Sequence, residues 1–402
     1  MAHVYPFAAY IPKEGNARKV ATLPYDVMNR QEARAMAEGN PLSFLRVTCS
    51  DLEFDDRLSN YDSQVYDRAA ANWKRISAEA LAQDDAPHYY VYSLVMDGRR
   101  QTGIVGCASV EEYQSGIVRR HERTRQEKED DRTRHIMTTG AQSGPVFLAY
   151  RDDQTLVDIM ERTMKEQKPL FDFVAVDGIG HTGWRIPDAD TAAVYAAFGK
   201  VPMLYIADGH HRAAAASRVC QERCGCGESG RTMAVIFPAG QLRILAYNRV
   251  VSDLNGLSRE QYLQRLRAIG DVAENASDTP SSAGVVSFYM DGKWRSLSFR
   301  ERHADDPIAA LDVSLLQEQV LQPMLDIADP RTSKRIDFVG GIRGTAELMN
   351  LVDSGKYAVA FSMYPTSLEQ LMDVADANGI MPPKSTWFEP KLRDGLFTHV
   401  IA

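Results

Sequence analysis

The chain has 402 residues, 44% of them hydrophobic, and its 46 basic and 54 acidic residues give a net charge of −8. This length allows two closely packed domains or one elaborated domain, and the negative total disfavours DNA or RNA as the main partner. No apolar run approaches the roughly 18 residues of a membrane-spanning helix, the first ten residues lack a signal-peptide pattern, and five cysteines suit a reducing compartment, so a cytoplasmic globular protein is predicted.

The first predicted elements surround a short polar loop. Pro24 keeps the residue before it out of helical geometry, so Tyr25 and Asp26 are predicted to lie on a loop. Asn29 stands where it can cap a helix over Gln31–Ala37.

Residues 43–113 combine extended and helical patterns. Ser43–Thr48 is predicted as a strand, and Tyr61–Ala82 has the apolar spacing of a helix that faces a core. His88–Met96 and Thr102–Tyr113 are rich in β-forming residues, and an Asp-Gly pair at 97–98 between them predicts a hairpin.

Residues 119–134 form a polar run without one apolar side chain. Such a run is commonly a solvated helix held by ion pairs. The alternative depends on spacing, because side chains three or four residues apart would share one helical face and offer donors to phosphate oxygens. The residues with this spacing are His121, Thr124, Lys128, Arg132 and His135. Glu122 and Asp131 stand beside them as candidate acid, base or magnesium ligands.

A small, polar, glycine-bearing segment at 138–145 leads into a predicted strand, Val146–Tyr150. Backbone N–H groups in such a turn can form an anion nest, which makes Ser143 and Gly144 candidate ligand-binding residues. The segment is not a Walker loop, since the chain contains no Gly-x-x-x-x-Gly-Lys-Ser/Thr. A purely structural turn is the alternative.

Apolar runs and helical spacings continue this pattern to residue 251. The predicted strands are Phe171–Val176, Val201–Ala207, Thr232–Phe237 and Leu242–Val251, and the predicted helices cover 188–198 and 211–223. Helices between some of these strands, together with a hairpin, predict a mixed α/β fold rather than a simple doubly wound sheet.

The most concentrated chemistry follows the strand predicted at Val201–Ala207. The next five residues are Asp208, Gly209, His210, His211 and Arg212, and four alanines come after them. The glycine permits a tight turn and the alanines start a helix, whose N-terminus attracts anions, phosphate above all. The guanidinium of Arg212 could bind an anion through two parallel hydrogen bonds, and either histidine could donate or move a proton. A capped turn with solvated histidines is the alternative.

Three cysteines, Cys220, Cys224 and Cys226, invite a zinc interpretation. A fourth ligand is absent from the local sequence, and Gly225 and Gly227 suggest a flexible loop. Reduced, partly exposed thiols at the end of the helix are therefore predicted.

The sequence predicts an N-terminal α/β region, 1–252, which carries the polar run and the turn at 208–212, and a C-terminal α/β region, 253–402, packed against it. A single continuous unit is the alternative. The elements predicted in the second region are helices at 258–268, Val313–Leu325 and Ser367–Ala377 and strands at Val285–Met290, Trp294–Phe299 and Lys356–Tyr364. Two prolines stiffen the loop Met381–Thr386. Its Lys384 and Ser385 are a third candidate for phosphate contact, with a plain structural loop as the alternative.

Taken in order, these motifs resemble a prokaryotic family known as domain of unknown function 1015, over nearly the whole chain. The matching segments are 24–27, 40–45, 120–132, 142–145, 207–212, 311–313 and 382–386. The turn at 208–212 is also similar to the signature of ParB-like and sulfiredoxin-like proteins, a superfamily that binds nucleotide phosphates there and includes kinases acting on free serine. The resemblance implies a ParB/sulfiredoxin-like core around residues 200–220, with additional mixed sheet and helices.

The same resemblance assigns roles at the turn. It implies that Asp208, His210, His211 and Arg212 contact phosphates or the transferred group. The chain departs from sulfiredoxin because the motif has no cysteine, which excludes peroxiredoxin repair. It also lacks an obvious basic helix-turn-helix module, which weakens a chromosome-partitioning role.

The leading hypothesis is a phosphotransferase that moves a phosphoryl group from ATP or ADP to a small hydroxylated metabolite, with free serine as the first candidate. Arg212, the N–H groups after it and His210 would hold the donor phosphates. Magnesium would bridge them with Asp208 or Asp131. Glu122 or Asp26 would take the hydroxyl proton.

The second hypothesis is a non-catalytic, nucleotide-binding regulator of ParB-like type, which would bind nucleotide without turning it over. A ParB-like nuclease is disfavoured by the net charge. The sequence leaves the acceptor, the choice between ATP and ADP, and the oligomeric state open.

Overall fold

The computed structural model describes residues 1–401 of the chain. It divides into two compact units. Unit 1 contains Met1–Leu242 and the C-terminal segment from Pro390, and unit 2 contains Arg243–Glu389. The regional boundary at residues 252 and 253 remains a prediction, and the chain passes between the two compact units at 242–243 and at 389–390.

The strands range from two to eleven residues. In chain order they are β1 (Val4–Tyr5), β2 (Tyr10–Pro12), β3 (Leu81–Gln83), β4 (Tyr90–Met96), β5 (Arg99–Ser109), β6 (Val118–Arg119), β7 (Ala141–Gln142), β8 (Val146–Tyr150), β9 (Phe171–Val174), β10 (Gly180–Arg185), β11 (Leu204–Asp208), β12 (Arg231–Pro238), β13 (Ile244–Leu245), β14 (Tyr247–Val251), β15 (Gly270–Glu274), β16 (Val285–Met290), β17 (Lys293–Phe299), β18 (Ile336–Gly340), β19 (Val359–Ser362), β20 (Trp387–Phe388) and β21 (His399–Val400).

The helices lie between these strands. They are α1 (Ala17–Val20), α2 (Arg30–Ala37), α3 (Leu45–Thr48), α4 (Ser63–Ala80), α5 (Val110–Ser115), α6 (Gln126–Thr139), α7 (Gln154–Glu166), α8 (Thr191–Phe198), α9 (His210–Glu222), α10 (Arg259–Ile269), α11 (Asp312–Leu316), α12 (Gln322–Leu325), α13 (Gly344–Asp353) and α14 (Leu368–Asp376). In the described part of the chain, none of them has both the length and the apolar character needed to cross a membrane.

A mixed sheet forms the centre of unit 1. Its nine strands within the described residues pair in the order β6-β11-β8-β12-β5-β4-β10-β9, with β1 added to β5. β11 pairs parallel with β6 and antiparallel with β8. All five residues of β8 are buried, because helices cover the sheet and leave its central strands as continuous apolar runs. Side chains of α7, α8 and α9 complete this apolar core.

The C-terminal segment is held in unit 1 by a short strand pair. β21 pairs antiparallel with β7, and His399 lies opposite Gln142. The side-chain amide of Gln142 donates to the Arg231 carbonyl at 2.8 Å, and its oxygen accepts the Met233 N–H at 2.6 Å. Asp394, further back in the segment, forms a backbone bridge with Thr22. The residues after Pro390 therefore belong to the same packed body as β7 and β8.

Unit 2 has its own antiparallel sheet, in the order β15-β17-β16-β19-β14-β18. β16 and β17 form a hairpin whose turn residues, Asp291 and Gly292, both have positive φ. Leu348 of α13 packs with Val250 and Ala360 of the sheet in a separate apolar cluster. This unit therefore has a core of its own.

The predicted mixed α/β class is confirmed, but the predicted strand Thr102–Tyr113 ends at Ser109, where α5 follows, and another predicted strand is wrong. Residues 45–48 of the segment Ser43–Thr48 form the helix α3. A turn at Asn40, whose side chain accepts the Leu42 N–H, starts the helical path. Burial of Phe44 and Val47 in a cluster with Ile76 then outweighs their β propensity. The sequence interpretation also missed several elements, namely α7, α13, β10, β15 and β18.

Candidate anion-binding site

The strand-to-helix turn at 208–212 forms where it was predicted. β11 ends at Asp208, Gly209 has a φ of +93°, and α9 begins at His210. This φ favours glycine, because a Cβ is strained there. Gly209, the N-cap residue of α9, has no side chain that could cap the helix. The N–H groups of its first turn therefore present partial positive charge that the N-cap residue does not neutralise.

Arg212 folds back over the turn. A Cβ on Gly209 would lie 2.9 Å from Arg212 Nε, so the glycine also provides space for the guanidinium. Nη1 donates to the carbonyl oxygen of Pro145, and Nη2 lies 3.8 Å from Asp208 Oδ1. The buried Nε has no hydrogen-bond partner within residues 1–401. Arg212 thus ties the turn to the segment before β8 and leaves one donor uncommitted.

Asp208 has positively charged neighbours, and Arg212 has negatively charged neighbours. Lys391 Nζ lies 3.0 Å from Asp208 Oδ2. Burial raises the pKa of the Asp208 carboxyl, but Lys391 and Arg212 outweigh it, and the net pKa is below its usual value. Burial lowers the pKa of Arg212, but the carboxylates of Asp26 and Asp208 outweigh it, and the net pKa is raised. Both side chains are therefore charged at neutral pH.

Two buried histidines meet beside the turn. The rings of His210 and His121 are perpendicular, with centroids 4.5 Å apart, and His210 Nδ1 lies 3.9 Å from Glu122 Oε2. Burial lowers the pKa of His121 to about 4 and holds the pKa of His210 well below its usual value. Both rings are therefore neutral at pH 7.

His211 is bonded to the loop that precedes α6. Its Nε2 accepts the backbone N–H of Arg125 at 3.1 Å, so the proton of the neutral ring is on Nδ1. Burial lowers the pKa of His211, which favours that neutral form. Thr124, in the same loop, donates to Glu129. These two predicted site residues therefore hold the loop in place.

The predicted helical face over 121–135 is wrong in its first half. α6 begins only at Gln126, after Arg125, which provides no side-chain cap. His121 and Thr124 therefore lie in the loop that follows β6. The physical reason is that β6 pairs with β11 at Val118 and Arg119, which keeps the chain extended until it has left the sheet.

Several charged side chains within α6 have protein partners. Arg132 Nη2 lies 2.9 Å from Asp131 Oδ2, and the Tyr66 hydroxyl donates to Asp131 at 2.8 Å. The Arg132 guanidinium lies 4.1 Å from the centre of the Tyr25 ring. Lys128 Nζ is 5.6 Å from the ring centre of a second tyrosine, at position 61. His135, the last residue of the predicted face, bonds the Val47 carbonyl at 2.9 Å through Nε2.

Ser143 and Gly144 line a small cavity of about 30 Å³ together with Arg212 and Asp394. A Cβ on Gly144 would collide with the Asp394 carboxylate, so this approach requires glycine. Asp394 Oδ1 is buried and has no hydrogen-bond partner in the described structure. Burial raises the pKa of Asp394 to about 7, despite the opposing charge of Arg212.

A larger cavity, of about 230 Å³, adjoins the small one. Both are lined by Tyr25, Thr48, Arg132 and His135. Residues of α2, α3, α4 and α6 and of the loops beside them form its remaining walls, which include Asn60 and Tyr61 before α4, Tyr66 in α4, and Lys128 and Asp131 in α6. The cavity therefore combines aromatic faces with charged and amide groups next to the turn of α9.

The third predicted phosphate contact, Lys384 and Ser385, lies in unit 2. The Ser385 hydroxyl donates to the Pro382 carbonyl at 2.6 Å. Lys384 has a φ of +58°, its carbonyl accepts from Arg249 at 3.0 Å, and its Nζ is 5.4 Å from the centre of the Tyr247 ring. These contacts give the loop a structural role within that unit.

Lys391 and Asp394 are site residues that the sequence interpretation missed. Both belong to the segment 390–397, where charged residues alternate with buried leucines before Phe397. Charged residues within an apolar stretch near the C-terminus were the sequence signal that could have identified them as site residues. Their partners were out of reach of local patterns, because 183 residues separate Lys391 from Asp208.

The three clustered cysteines are free thiols, and Cys224 and Cys226 are exposed. Within residues 1–401, one group of three or more His, Cys, Asp or Glu side chains has ligand atoms within 4.8 Å of one another. It consists of His121, Glu122 and His210.

A family model matches most of the chain, and several solved structures show a distant likeness. The model of the family described as "Protein of unknown function (DUF1015)" matches residues 4–314. No curated protein sequence matches significantly. A free serine kinase in complex with AMP is 13% identical, with a TM-score of 0.35 over 74% of this chain and 86% of the kinase chain.

Two further structures are similar at the same level. C-terminally truncated SbnI from Staphylococcus aureus is 12% identical, with a TM-score of 0.40 over 72% of this chain and 85% of its own. A conserved hypothetical protein from Pyrococcus furiosus is 15% identical, with a TM-score of 0.34 over 75% of this chain and 93% of its own. TM-scores at this level carry no weight for the function of this chain.

Proposed function

The chain belongs to the DUF1015 family, and we propose that it is a nucleotide-dependent phosphotransferase. The donor is ATP or ADP, and the acceptor is a small hydroxylated metabolite, with free serine as the first candidate. The observation that carries the proposal is the N-terminus of α9, which has no side-chain cap and lies beside the charged groups of Lys391 and Arg212.

The phosphates of the nucleotide bind at this helix N-terminus. The first N–H groups of α9 and the helix dipole favour an anion there, and the cations of Lys391 and Arg212 add to the attraction. The uncommitted Nε of Arg212 is buried and has no partner in the described structure. A bound phosphate relieves the cost of leaving such a donor buried and unpaired.

The nucleoside extends into the adjoining cavity of about 230 Å³. Tyr25, Tyr61 and Tyr66 offer aromatic faces there, and Asn60 offers an amide for hydrogen bonds. Phosphates at the turn and an aromatic cavity next to it match the two halves of a nucleotide.

Asp26 accepts the hydroxyl proton of the acceptor. Asp26 is exposed, and its carboxylate raises the pKa of both Arg212 and His211, so its negative charge lies near the turn. In the transfer, the acceptor oxygen forms the new bond to phosphorus as the bond to the bridging oxygen of the nucleotide breaks. Asp26 takes the proton, and the shortened nucleotide leaves with the electron pair. Glu122 is the less suitable base because it lies against His210.

The two carboxylates predicted to hold magnesium do not fit it. Asp208 is paired with Lys391 at 3.0 Å, and Asp131 is paired with Arg132 at 2.9 Å and also accepts from Tyr66. Magnesium prefers several free oxygen ligands in octahedral geometry. Both ion pairs would have to open before these residues could bind it.

The test is a screen of small hydroxylated metabolites, beginning with serine, for phosphorylation that depends on added ATP or ADP. Product formation is measured by phosphorus NMR or mass spectrometry of the acceptor. The proposal predicts loss of nucleotide only when an acceptor is present. Nucleotide binding without turnover across the screen would contradict it.

Asp26→Asn separates catalysis from binding. We expect a fall in kcat of about 100-fold or more, because general base catalysis is worth that much, with little change in nucleotide affinity. Asp56→Asn is the control, since Asp56 is exposed and pairs with Arg34 in α2. Equal activity of the Asp26→Asn protein and the wild type would remove Asp26 from the mechanism.

The second candidate is a nucleotide-binding regulator, and one contact favours it. The His211–Arg125 bond couples the first turn of α9 to the loop before α6, so a ligand at the turn would move that loop. Binding that changes proteolysis of this loop, without any turnover, supports the regulator over the kinase.

A further inference from the structure

His121, Glu122 and His210 form a compact donor set that the proposed phosphotransfer does not explain. One ligand atom from each residue lies within 4.8 Å of the others. Within residues 1–401 this is the one group that meets that criterion. Two imidazoles and one carboxylate are a common ligand set for a divalent transition metal.

The fold brings these residues together from positions about 90 apart in the chain. β6 pairs parallel with β11, with Val118 opposite Leu204 and Arg119 opposite Tyr205. The chain leaves both strands at the same edge of the sheet. His121 and Glu122 follow one strand, and His210 follows the other across the Gly209 turn.

Both imidazoles are buried with an unused nitrogen. His121 is 2% exposed and His210 is 5% exposed. His121 Nδ1 and His210 Nε2 have no hydrogen-bond partner in the described part of the chain. Leaving a ring nitrogen buried and unpaired costs free energy. A ligand that accepts nitrogen lone pairs would therefore stabilise these two histidines.

His121 also has the support that metal-bound histidines have. Its ring is hydrogen bonded to the backbone of Ile206 in β11, while Nδ1 stays without a partner. In metal sites, a ligating histidine donates its other N–H to a carbonyl or carboxylate, which fixes the ring. The bond to a buried strand therefore orients His121 for ligation.

We propose that His121, Glu122 and His210 bind a divalent transition-metal ion, such as Zn²⁺ or Mn²⁺. The nitrogen donors favour this class over magnesium, which prefers oxygen. Ligand atoms about 2.1 Å from a tetrahedral ion lie roughly 3.4 Å from each other, and the ligand atoms of the three residues lie within 4.8 Å of one another. Small side-chain movements therefore close the site.

Three protein ligands leave at least one position of the ion open. The site includes the first residue of α9, so the open position lies near the proposed phosphate site, and an anion could bind there. The metal site does not depend on the proposed function, because an ion can bind whether or not nucleotide is turned over.

The test uses the full-length protein after metal removal with a chelator. Co²⁺ is added, and its visible d–d absorption is recorded during the titration, followed by displacement with Zn²⁺. We expect one bound ion per chain with the spectrum of a nitrogen- and oxygen-ligated site. Glu122→Gln and His121→Asn should each weaken Co²⁺ binding by at least about tenfold, since even residues that only support ligands contribute that much.

The control variants separate loss of a ligand from loss of fold. His181→Asn removes another fully buried imidazole, bonded to the Tyr92 hydroxyl at 2.7 Å, and should bind Co²⁺ like the wild type. If His121→Asn fails to fold, Glu122→Gln still tests the site, because the Glu122 side chain is 44% exposed.

Two results would overturn the proposal. One is Co²⁺ affinity in Glu122→Gln equal to that of the wild type. The other is a thiolate-to-cobalt charge-transfer band that persists in Glu122→Gln and vanishes in Cys224→Ser, which would place the ion on the exposed cysteines. Neither readout involves nucleotide turnover, so failure of the kinase proposal leaves this test intact.

Discussion

The turn at 208–212 and the helix α6 carry the same kinds of charged residue, yet the structure uses them differently. In α6, Asp131 pairs with Arg132 and accepts from Tyr66, and Asp130 pairs with Arg218. At the turn, the helix N-terminus has no side-chain cap, and buried nitrogens lack partners in the described structure. Binding capacity therefore follows from donors that the fold leaves unsatisfied, and charge density alone does not predict it.

The largest expected effect is that of Arg212→Ala on nucleotide affinity. Hydrogen bonds to charged groups contribute about 1.5–3 kcal/mol, so affinity should fall by about 10- to 100-fold. Calorimetric titration with ATP and with ADP measures it. Arg212→Lys should recover only part of the affinity, because lysine keeps the charge and loses the planar fork.

Arg218→Ala is the matched control on the same helix. Arg218 lies further along α9 and pairs with the half-exposed Asp130, so its loss should leave nucleotide affinity unchanged. An equal loss of affinity in both variants would mean that the general positive charge of α9 attracts the nucleotide, and the contrast between the turn and α6 would fail.

The second prediction compares two glycines with positive φ. Gly209→Ala places a Cβ at a φ of +93° and 2.9 Å from Arg212 Nε, whereas Gly140→Ala, at the end of α6, has a φ of +68° and nothing within 4 Å. Both should lose about 1–3 kcal/mol of stability from backbone strain. Only Gly209→Ala should also weaken nucleotide binding, because it displaces the guanidinium. Chemical denaturation and calorimetry give the two quantities.

The sequence correctly predicted those strands and helices whose bounds depend only on neighbouring residues. Val146–Tyr150 is an apolar run between a glycine turn and a polar segment, and β8 has those bounds. The turn at Asp208–Arg212 has glycine where φ must be positive and alanines where a helix begins, so β11 and α9 fall within three residues of their predicted bounds.

The rest of the site depends on contacts between distant segments. His121 meets His210 only because β6 pairs with β11, and no local spacing reveals that register. Lys391 reaches Asp208 across 183 residues. The same limit explains the incorrect helical face over 121–135, since the pairing of β6 with β11 just before it keeps the chain extended, although the spacing of these residues was compatible with a helix.

The third prediction concerns pH and Asp394, the buried carboxyl next to Gly144. Its pKa is raised from 3.8 to about 7, so the folded protein keeps a proton that the unfolded chain has already released. Stability should therefore fall as the pH rises from about 4 to about 7, by at most about 1.4 kcal/mol per pH unit. Asp394→Asn should reduce that fall, measured as the free energy of unfolding at pH 5 and pH 8.

Asp312→Asn is the matched control in unit 2. Asp312 is also buried, with a pKa raised to about 6 by burial, so this variant should likewise reduce the fall in stability with pH. Only Asp394→Asn should alter the pH profile of nucleotide binding, because Asp394 shares a cavity with Arg212. A changed binding profile in Asp312→Asn would show that global stability, rather than the charge at the turn, controls affinity.

The smallest expected effect is that of Asp130→Asn, on the α6 side of the comparison. Asp130 is 53% exposed and pairs with Arg218, and salt screens such surface pairs. We expect a shift in melting temperature of no more than about one degree at physiological ionic strength, and nucleotide affinity equal to that of the wild type. If Asp130→Asn instead changes affinity in a salt-dependent way, the charges of α6 act on the ligand from a distance, and the two segments form one electrostatic site.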